Sequence, residues 1–184
     1  SGNTIYHNGG AQNGTGGLDT TYATYVTLAH NTIYENRGLG FDINGCDHIT
    51  MTDNILHDNS GAEIFMNNAT GSIIEKNLLY EALSTSANTK GIQMMNGTDI
   101  ASNPLSNNTV RNNIVLNTNT GFFYSATGNG GGIKNTVIAN NTFYGATGFI
   151  VYIEGTNHSN TMIANNIFYQ TNKNWAGDIP QGSG

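Results

Sequence analysis

Apolar and polar residues follow each other along this chain in a pattern that keeps returning. Asn followed two positions later by an aliphatic or aromatic residue recurs as Asn3/Ile5, Asn31/Ile33, Asn54/Leu56, Asn77/Leu79, Asn113/Val115, Asn141/Phe143 and Asn166/Phe168. Successive anchor Asn residues lie 28, 23, 23, 36, 28 and 25 positions apart. A base period with extra residues in some intervals marks stacked coils. An apolar residue stands three positions before the anchors, at Leu28, Met51, Ile74, Val110, Ile138 and Ile163, and predicts a first short strand ending at the anchor. A second strand starts after the anchor, and its inward residue is the one two positions on. A turn follows, in several repeats with a second Asn (Asn8, Asn36, Asn59). A third strand begins after Gly38, Gly61, Gly91, Gly121 and Gly148. Its period of two predicts Leu39, Phe41 and Ile43 inward, and likewise Ala62, Ile64, Met66 and Phe149, Val151, Ile153.

One such coil cannot bury its own apolar face. Stacking at a rung of about 4.8 Å closes a core between coils. The expected fold is therefore all-β: a parallel β-helix solenoid of about seven coils, each of three short strands. The anchor Asn has a physical role in it. At an inward bend its amide can hydrogen-bond the same Asn one coil away, and this Asn ladder satisfies polar groups that would otherwise be stranded. Residues 1–184 form one domain on this reading, either complete or a segment of a longer chain. Tyr22–Tyr25 and Trp175–Ile179 are the segments placed to cover its ends.

The stretches Val26 to Ile43 (VTLAHNTIYENRGLGFDI) and Ile49 to Met66 (ITMTDNILHDNSGAEIFM) carry the repeat most fully. In them the chain resembles the right-handed parallel β-helices of the pectin-lyase-like superfamily. Right-handedness comes from this resemblance. It also implies carbohydrate chemistry, by lyases, hydrolases, epimerases, binding modules or adhesins, on the outer side of the Gly-led sheet and its loops. A secreted or cell-surface location goes with it.

Composition narrows the partners. Charged residues make up 10% of the chain, with six Lys and Arg against 12 Asp and Glu and a net charge of -6. A nucleic-acid binder needs a basic stripe to neutralise phosphates, and none is present. No run of about 18 apolar residues offers a membrane span. The single Cys46 excludes an internal disulfide. There are 30 Asn and 24 Gly, which the repeat assigns to anchors, turns and strand starts. The resulting surface of amides and hydroxyls suits a polysaccharide or oligosaccharide.

Extra residues interrupt the period at 9–19, 82–90, 96–108 and 125–134, and loops of this kind often line a solenoid's binding face. The outward positions of the third strand are then Asp42, Glu63, Phe65, Gln93, Met95, Phe123, Ile150, Tyr152 and Glu154. Asp42 and Glu63 lie on adjacent coils, two residues out of register, with Cα atoms about 8 Å apart. Carboxyl groups at roughly 6.5–9.5 Å suit an inverting glycosidase, so these two are the candidate catalytic pair. The alternative is two solvated carboxylates. Phe65, Gln93, Met95, Phe123 and Tyr152 are candidate substrate-binding residues, rings for sugar faces and an amide for hydroxyls. Their alternative role is to support the inserted loops.

Arg37 and Lys90 each precede the Gly of this strand. The resemblance to polyuronate lyases makes them candidates for a base or for pairing with a substrate carboxylate. It also brings in Ca²⁺, through Asp42, Glu63, Asp47 or loop carbonyls. The sequence itself holds no EF-hand pattern and no His or Cys metal spacing. A second surface carries Tyr6, Tyr34, His57, Tyr80, Leu116, Tyr144 and Tyr169, three positions after each anchor. Cover by a neighbouring domain or subunit and a purely structural stack of rings are equally consistent with it. Two functions stay open: an enzyme acting on a polysaccharide, and a carbohydrate-binding, adhesive or structural segment.

Overall fold

A computed structural model describes residues 1–9, 16–83, 88–97, 105–126, 131–170 and 177–178. Three parallel sheets run along one axis. The anchor-led sheet holds β1 (Thr4–Tyr6), β4 (Thr32–Tyr34), β7 (Ile55–His57), β10 (Leu78–Tyr80), β13 (Ile114–Leu116), β16 (Thr142–Tyr144) and β19 (Ile167–Tyr169). The Gly-led sheet holds β2 (Leu18–Thr21), β5 (Phe41–Asn44), β8 (Ala62–Asn67), β11 (Lys90–Met95), β14 (Thr120–Ser125), β17 (Phe149–Ile153) and β20 (Gly177–Asp178). The third sheet holds β3 (Thr27–Ala29), β6 (Thr50–Thr52), β9 (Ile73–Glu75), β12 (Thr109–Arg111), β15 (Val137–Ala139) and β18 (Met162–Ala164). Each strand pairs with its equivalent one coil away. This is the seven-coil parallel β-helix expected from the repeat.

The register keeps like residues in columns. Ile33, Leu56, Leu79, Val115 and Phe143 align across the anchor-led sheet and are buried. Leu28, Met51, Ile74, Val110 and Ile138 do the same on the third sheet. The interval of 36 residues between Asn77 and Asn113 does not disturb this order, because β10 pairs directly with β13.

The Asn ladder is continuous. Side-chain amides donate from Asn3 to Asn31, Asn54, Asn77, Asn113, Asn141 and finally Asn166, each to the next Oδ1 at 2.9–3.0 Å. The same Oδ1 also accepts the backbone N–H of the preceding anchor, as Asn77 does from Asn54 at 3.0 Å. The second amide hydrogen reaches a backbone carbonyl, for example Asn77 Nδ2 to Met51 O at 2.9 Å. The buried bend is thereby fully paired. The residue before each anchor turns the corner in the left-handed region: His30, Asp53, Lys76, Asn112, Asn140 and Asn165 all have φ between 54° and 57°. For a non-glycine residue this costs roughly 1–2 kcal/mol, which the anchor's bonds offset.

At the ends, Tyr22 and Tyr25 are exposed rather than packed, and Tyr25 stacks on His48 with ring centroids 4.9 Å apart. Of Trp175–Ile179, only Gly177–Asp178 falls among the described residues.

Candidate functional site

The Gly-led sheet departs from simple alternation at its entrance. Two successive residues point inward there before alternation begins. A Cβ on Gly40 would lie 2.8 Å from Leu56 Cδ2, one on Gly91 2.3 Å from Val115 Cγ1, and one on Gly121 2.8 Å from Phe143 Cδ1. All three contacts are inward residues of the anchor-led sheet, so this column faces the core. Ile150 and Glu63 occupy the same column and are fully buried. One step earlier, Phe149 and Lys90 face outward: Phe149 stacks on Tyr152 at 4.8 Å, and Lys90 Nζ sits 5.9 Å over the Phe123 ring. Ala62 is buried, as period two predicts, whereas Phe149, expected inward, faces out and Glu63 and Ile150, expected outward, lie in the core. The corner shifts this column by one step, while Phe41, Ile43, Ile64, Met66, Val151 and Ile153 do face the core.

The outward row is then set by register. Asp19, Asp42, Phe65, Gln93, Phe123 and Tyr152 align coil by coil. Phe65, Gln93, Phe123 and Tyr152 are half-buried, and the Phe123 and Tyr152 rings stack at 5.5 Å. A neighbouring row carries Asn44, Asn67, Met95 and Ser125. Lys90 joins this face, its Nζ donating to Asn88 O at 2.6 Å. Burial pulls its ammonium below the usual lysine range. Seven of the expected site residues thus share one surface: Asp42, Phe65, Lys90, Gln93, Met95, Phe123 and Tyr152.

Asp42 is nearly covered. Asn44 Nδ2 donates to its Oδ1 at 2.6 Å. Burial raises its carboxyl above the ordinary value, the Asn44 bond opposes this, and the neighbouring Asp19 charge adds to the rise. Arg37 is elsewhere. It lines a cavity of about 430 Å³ with His7, Gly9 and Glu35, where His7 Nε2 bonds Glu35. Although Arg37 and Lys90 both precede a Gly, Lys90 lies within β11 and pairs with Ala62, whereas Arg37 stands in the turn before β5.

Glu63 does not meet Asp42 across the outer face. Its carboxyl turns into the interior, where Asn59 donates its backbone N–H to Oε1 at 3.1 Å and its Nδ2 to Oε2 at 2.5 Å. Asn36 makes the same two bonds to Asn59, at 3.1 and 2.8 Å. Glu63 therefore terminates a second, shorter ladder of Asn8, Asn36 and Asn59. Beside it lies Glu81, buried, with no donor on either carboxyl oxygen. Burial raises both carboxyls, Glu81 to about 7 and Glu63 well above its ordinary value, and the negative charge of Glu81 adds to the rise at Glu63.

The repeat contained a signal for Glu81. Four residues after the anchors stand His7, Glu35, Asp58 and Glu81, a column rich in carboxylates. Asp58 is held firmly: His57 Nδ1 bonds Oδ2 at 2.8 Å, and the N–H groups of Ala82 and Leu83 donate to Oδ1 at 2.8 and 2.6 Å. A Ca²⁺ donor set does not form from Asp42, Glu63 and Asp47. The first faces outward with Asn44, the second is inside, and the third bonds His48 Nδ1 at 2.7 Å. Among the described residues, no group of three or more His, Cys, Asp or Glu is placed to hold a metal ion.

Residues 1–168 match the family model described as right handed beta helix region. The chain belongs to this family. The match spans every coil through β19 and is consistent with the pectin-lyase-like superfamily fold. A comparison with curated proteins returns no match. Family membership fixes the scaffold and its hand. Function in a right-handed β-helix resides in the side chains that the scaffold presents.

Proposed function

We propose that this right-handed β-helix binds an extended polysaccharide or oligosaccharide along the outer face of its Gly-led sheet. The carrying observation is the in-register row Phe65–Gln93–Phe123–Tyr152. The stacked rings form an apolar wall for the C–H faces of sugars. Gln93, Asn44 and Asn67 stand beside it as amide partners, and Lys90 offers a cation to an acidic sugar. A low-charge face of this kind discriminates by hydroxyl pattern more than by net charge. The same reading carries the expectation of a secreted or surface-attached protein.

A second reading, glycan cleavage, is favoured by one observation. Asp19 and Asp42 are register partners on this face, and burial raises the Asp42 carboxyl above its ordinary value. Strands about 4.8 Å apart put such carboxyls near the roughly 5–5.5 Å separation of retaining glycosidases. Glu63 enters neither reading, because its carboxyl is inside.

A glycan array, followed by reducing-end and unsaturated-product assays on the ligands found, tests both. Phe123→Ala and Tyr152→Ala should each weaken binding about 5- to 10-fold, corresponding to roughly 1–1.4 kcal/mol. Tyr144→Ala, on another sheet, should leave binding unchanged. Equal effects of all three variants would remove the outer face as the site. Product formation abolished by Asp42→Asn would establish the cleavage reading.

A further inference from the structure

We propose that the turn joining the anchor-led and Gly-led sheets on the first two coils is a separate ligand site, in which Arg37 takes the carboxylate of a small organic acid. His7, Gly9, Glu35 and Arg37 line the cavity of about 430 Å³ there. That volume falls at the lower end of the roughly 300–1,000 Å³ of small-molecule sites. Arg37 is exposed and forms no ion pair among the described residues. Glu35, the acid two residues before it, is held by His7 Nε2 instead. The other arginine of the chain, Arg111, is neutralised by Glu75 at 2.7 Å. One guanidinium is thus matched to an acid of the protein, and the other faces a cavity.

The repeat itself builds this cavity. Asn8 N–H donates to Asn36 Oδ1 at 2.9 Å, and the two Asn are followed at once by Gly9 and Arg37. Gly9 therefore stands one coil before Arg37 with no side chain, which leaves room beside the guanidinium. The backbone of Arg37 is fixed by its own N–H bond to Asn8 O at 2.9 Å. His7 and Glu35 are also equivalent residues on neighbouring coils, each just after the paired Tyr6 and Tyr34. The His7 ring meets both tyrosine rings edge to face, with centroids 5.0 and 6.4 Å apart. These contacts fix the imidazole where it meets Glu35. Asp58, one coil further in the same column, is occupied by His57, Ala82 and Leu83. Neither neighbouring carboxyl is left to neutralise Arg37.

The chemistry of the lining selects the ligand. A guanidinium presents a planar fork of N–H donors that matches the two oxygens of a carboxylate. Glu35 places a negative charge in the same cavity, and that charge opposes a dianion such as phosphate more than a monoanion. His7 keeps the Glu35 carboxylate engaged and so leaves the Arg37 fork open. One cation beside a partnered carboxylate fits an acid with a single carboxylate group. The site stands apart from the row Phe65–Gln93–Phe123–Tyr152 and does not depend on what that row binds.

Titration of the whole chain with sodium acetate, N-acetylglycine and sodium glucuronate, followed by NMR of the Arg37 Nε–H and Gly9 amide signals, tests it. At least one of these should give saturable shifts at both residues. The tightest of the three identifies the source as a simple acid, a peptide end or a sugar acid. Inorganic phosphate should bind more weakly than that ligand. R37Q should weaken binding about 10- to 100-fold, the scale of lost hydrogen bonds between charged groups. E35Q should tighten it by removing the opposing charge, and H7A should weaken it by freeing Glu35 to pair with Arg37. R111Q, whose arginine is tied to Glu75, should leave the titration unchanged. A wild type with no saturable shift for any of the three acids overturns the proposal, and this measurement needs no variant. Binding retained in R37Q, binding weakened in E35Q, or phosphate held more tightly than every carboxylate overturns it as well.

Discussion

Asn59 holds the carboxyl of Glu63 with both its backbone and its side-chain N–H, as Asn36 holds Asn59 one coil earlier. A carboxylate has thus taken the place of an amide in a ladder. An amide can both donate and accept, and a carboxylate can only accept. The ladder therefore stops at Glu63, whereas the anchor ladder, all Asn, runs from Asn3 to Asn166. Asn59→Asp should show the importance of the donor. It sets a second carboxyl against Glu63 and removes the Nδ2 bond. The variant should lose about 3 kcal/mol near neutral pH, the scale of an uncompensated buried charge, and less in acid, where the new group is protonated. Urea midpoints at the two pH values check this.

The inward column at the entrance of the Gly-led sheet makes a steric prediction. A Cβ on Gly91 would meet Val115 Cγ1 at 2.3 Å and Gly121 O at 2.7 Å. Gly91→Ala should destabilise by about 1–3 kcal/mol, the usual cost of overpacking. Val115→Ala removes one of the two obstructions. The double variant should therefore be more stable than the sum of the single losses predicts, and a double-mutant cycle measures the coupling. The carbonyl of Gly121 remains, so recovery should be partial.

Most of this architecture was legible in the spacing of the anchors. Asn-x-apolar fixes which residue of the second strand faces in, and β4, β7, β10, β13 and β16 all obey it. The Gly-led strand was harder, because a corner with two successive inward residues looks the same in sequence as strict alternation begun one residue earlier. Strict alternation places Glu63 and Ile150 outward for that reason, although both are in the core. The rows beyond the corner, from Asp42 to Tyr152, kept their expected face. The burial of Glu81 is set by the stacking of coils and not by local pattern, although its column with Asp58 is visible once the repeats are aligned.

The ring column on the anchor-led sheet has one gap. Tyr6, Tyr34, His57 and Tyr80 stack with centroids 5.0, 4.9 and 4.6 Å apart, and Tyr144 stacks on Tyr169 at 4.8 Å. Leu116 stands between Tyr80 and Tyr144 in register. Leu116→Tyr would join the two stacks into a column of seven rings. A gain of about 0.5–1 kcal/mol is expected from the new cross-strand pairs. A thermal midpoint unchanged or lowered would mean that the rings stack by default of packing and contribute no stability of their own.

Asp58 and Glu81 occupy the same column one coil apart, yet their carboxyls shift in opposite directions. Burial acts upward on both. At Asp58 it is outweighed by the His57 bond and by the N–H groups of Leu83 and Ala82, so the carboxyl ends below its ordinary value of 3.8. Glu81 has no such donors and ends at about 7. The signs follow directly. Folded Asp58 binds fewer protons than unfolded Asp58 in acid, so its stabilisation is present above the ordinary value and is lost as pH falls through the folded one. Glu81 loses its contribution in the other direction, as pH rises toward neutrality and beyond. Asp58→Asn keeps an acceptor for Ala82 and Leu83 but loses the charge. It should cost about 1–3 kcal/mol near neutral pH, the value of hydrogen bonds to a charged group. Its acid limb should be shallower than that of the wild type, with the alkaline limb retained. Unfolding midpoints measured from acid to mildly alkaline pH give both limbs in one series. An acid limb unchanged in Asp58→Asn would show that another carboxyl sets the stability in acid.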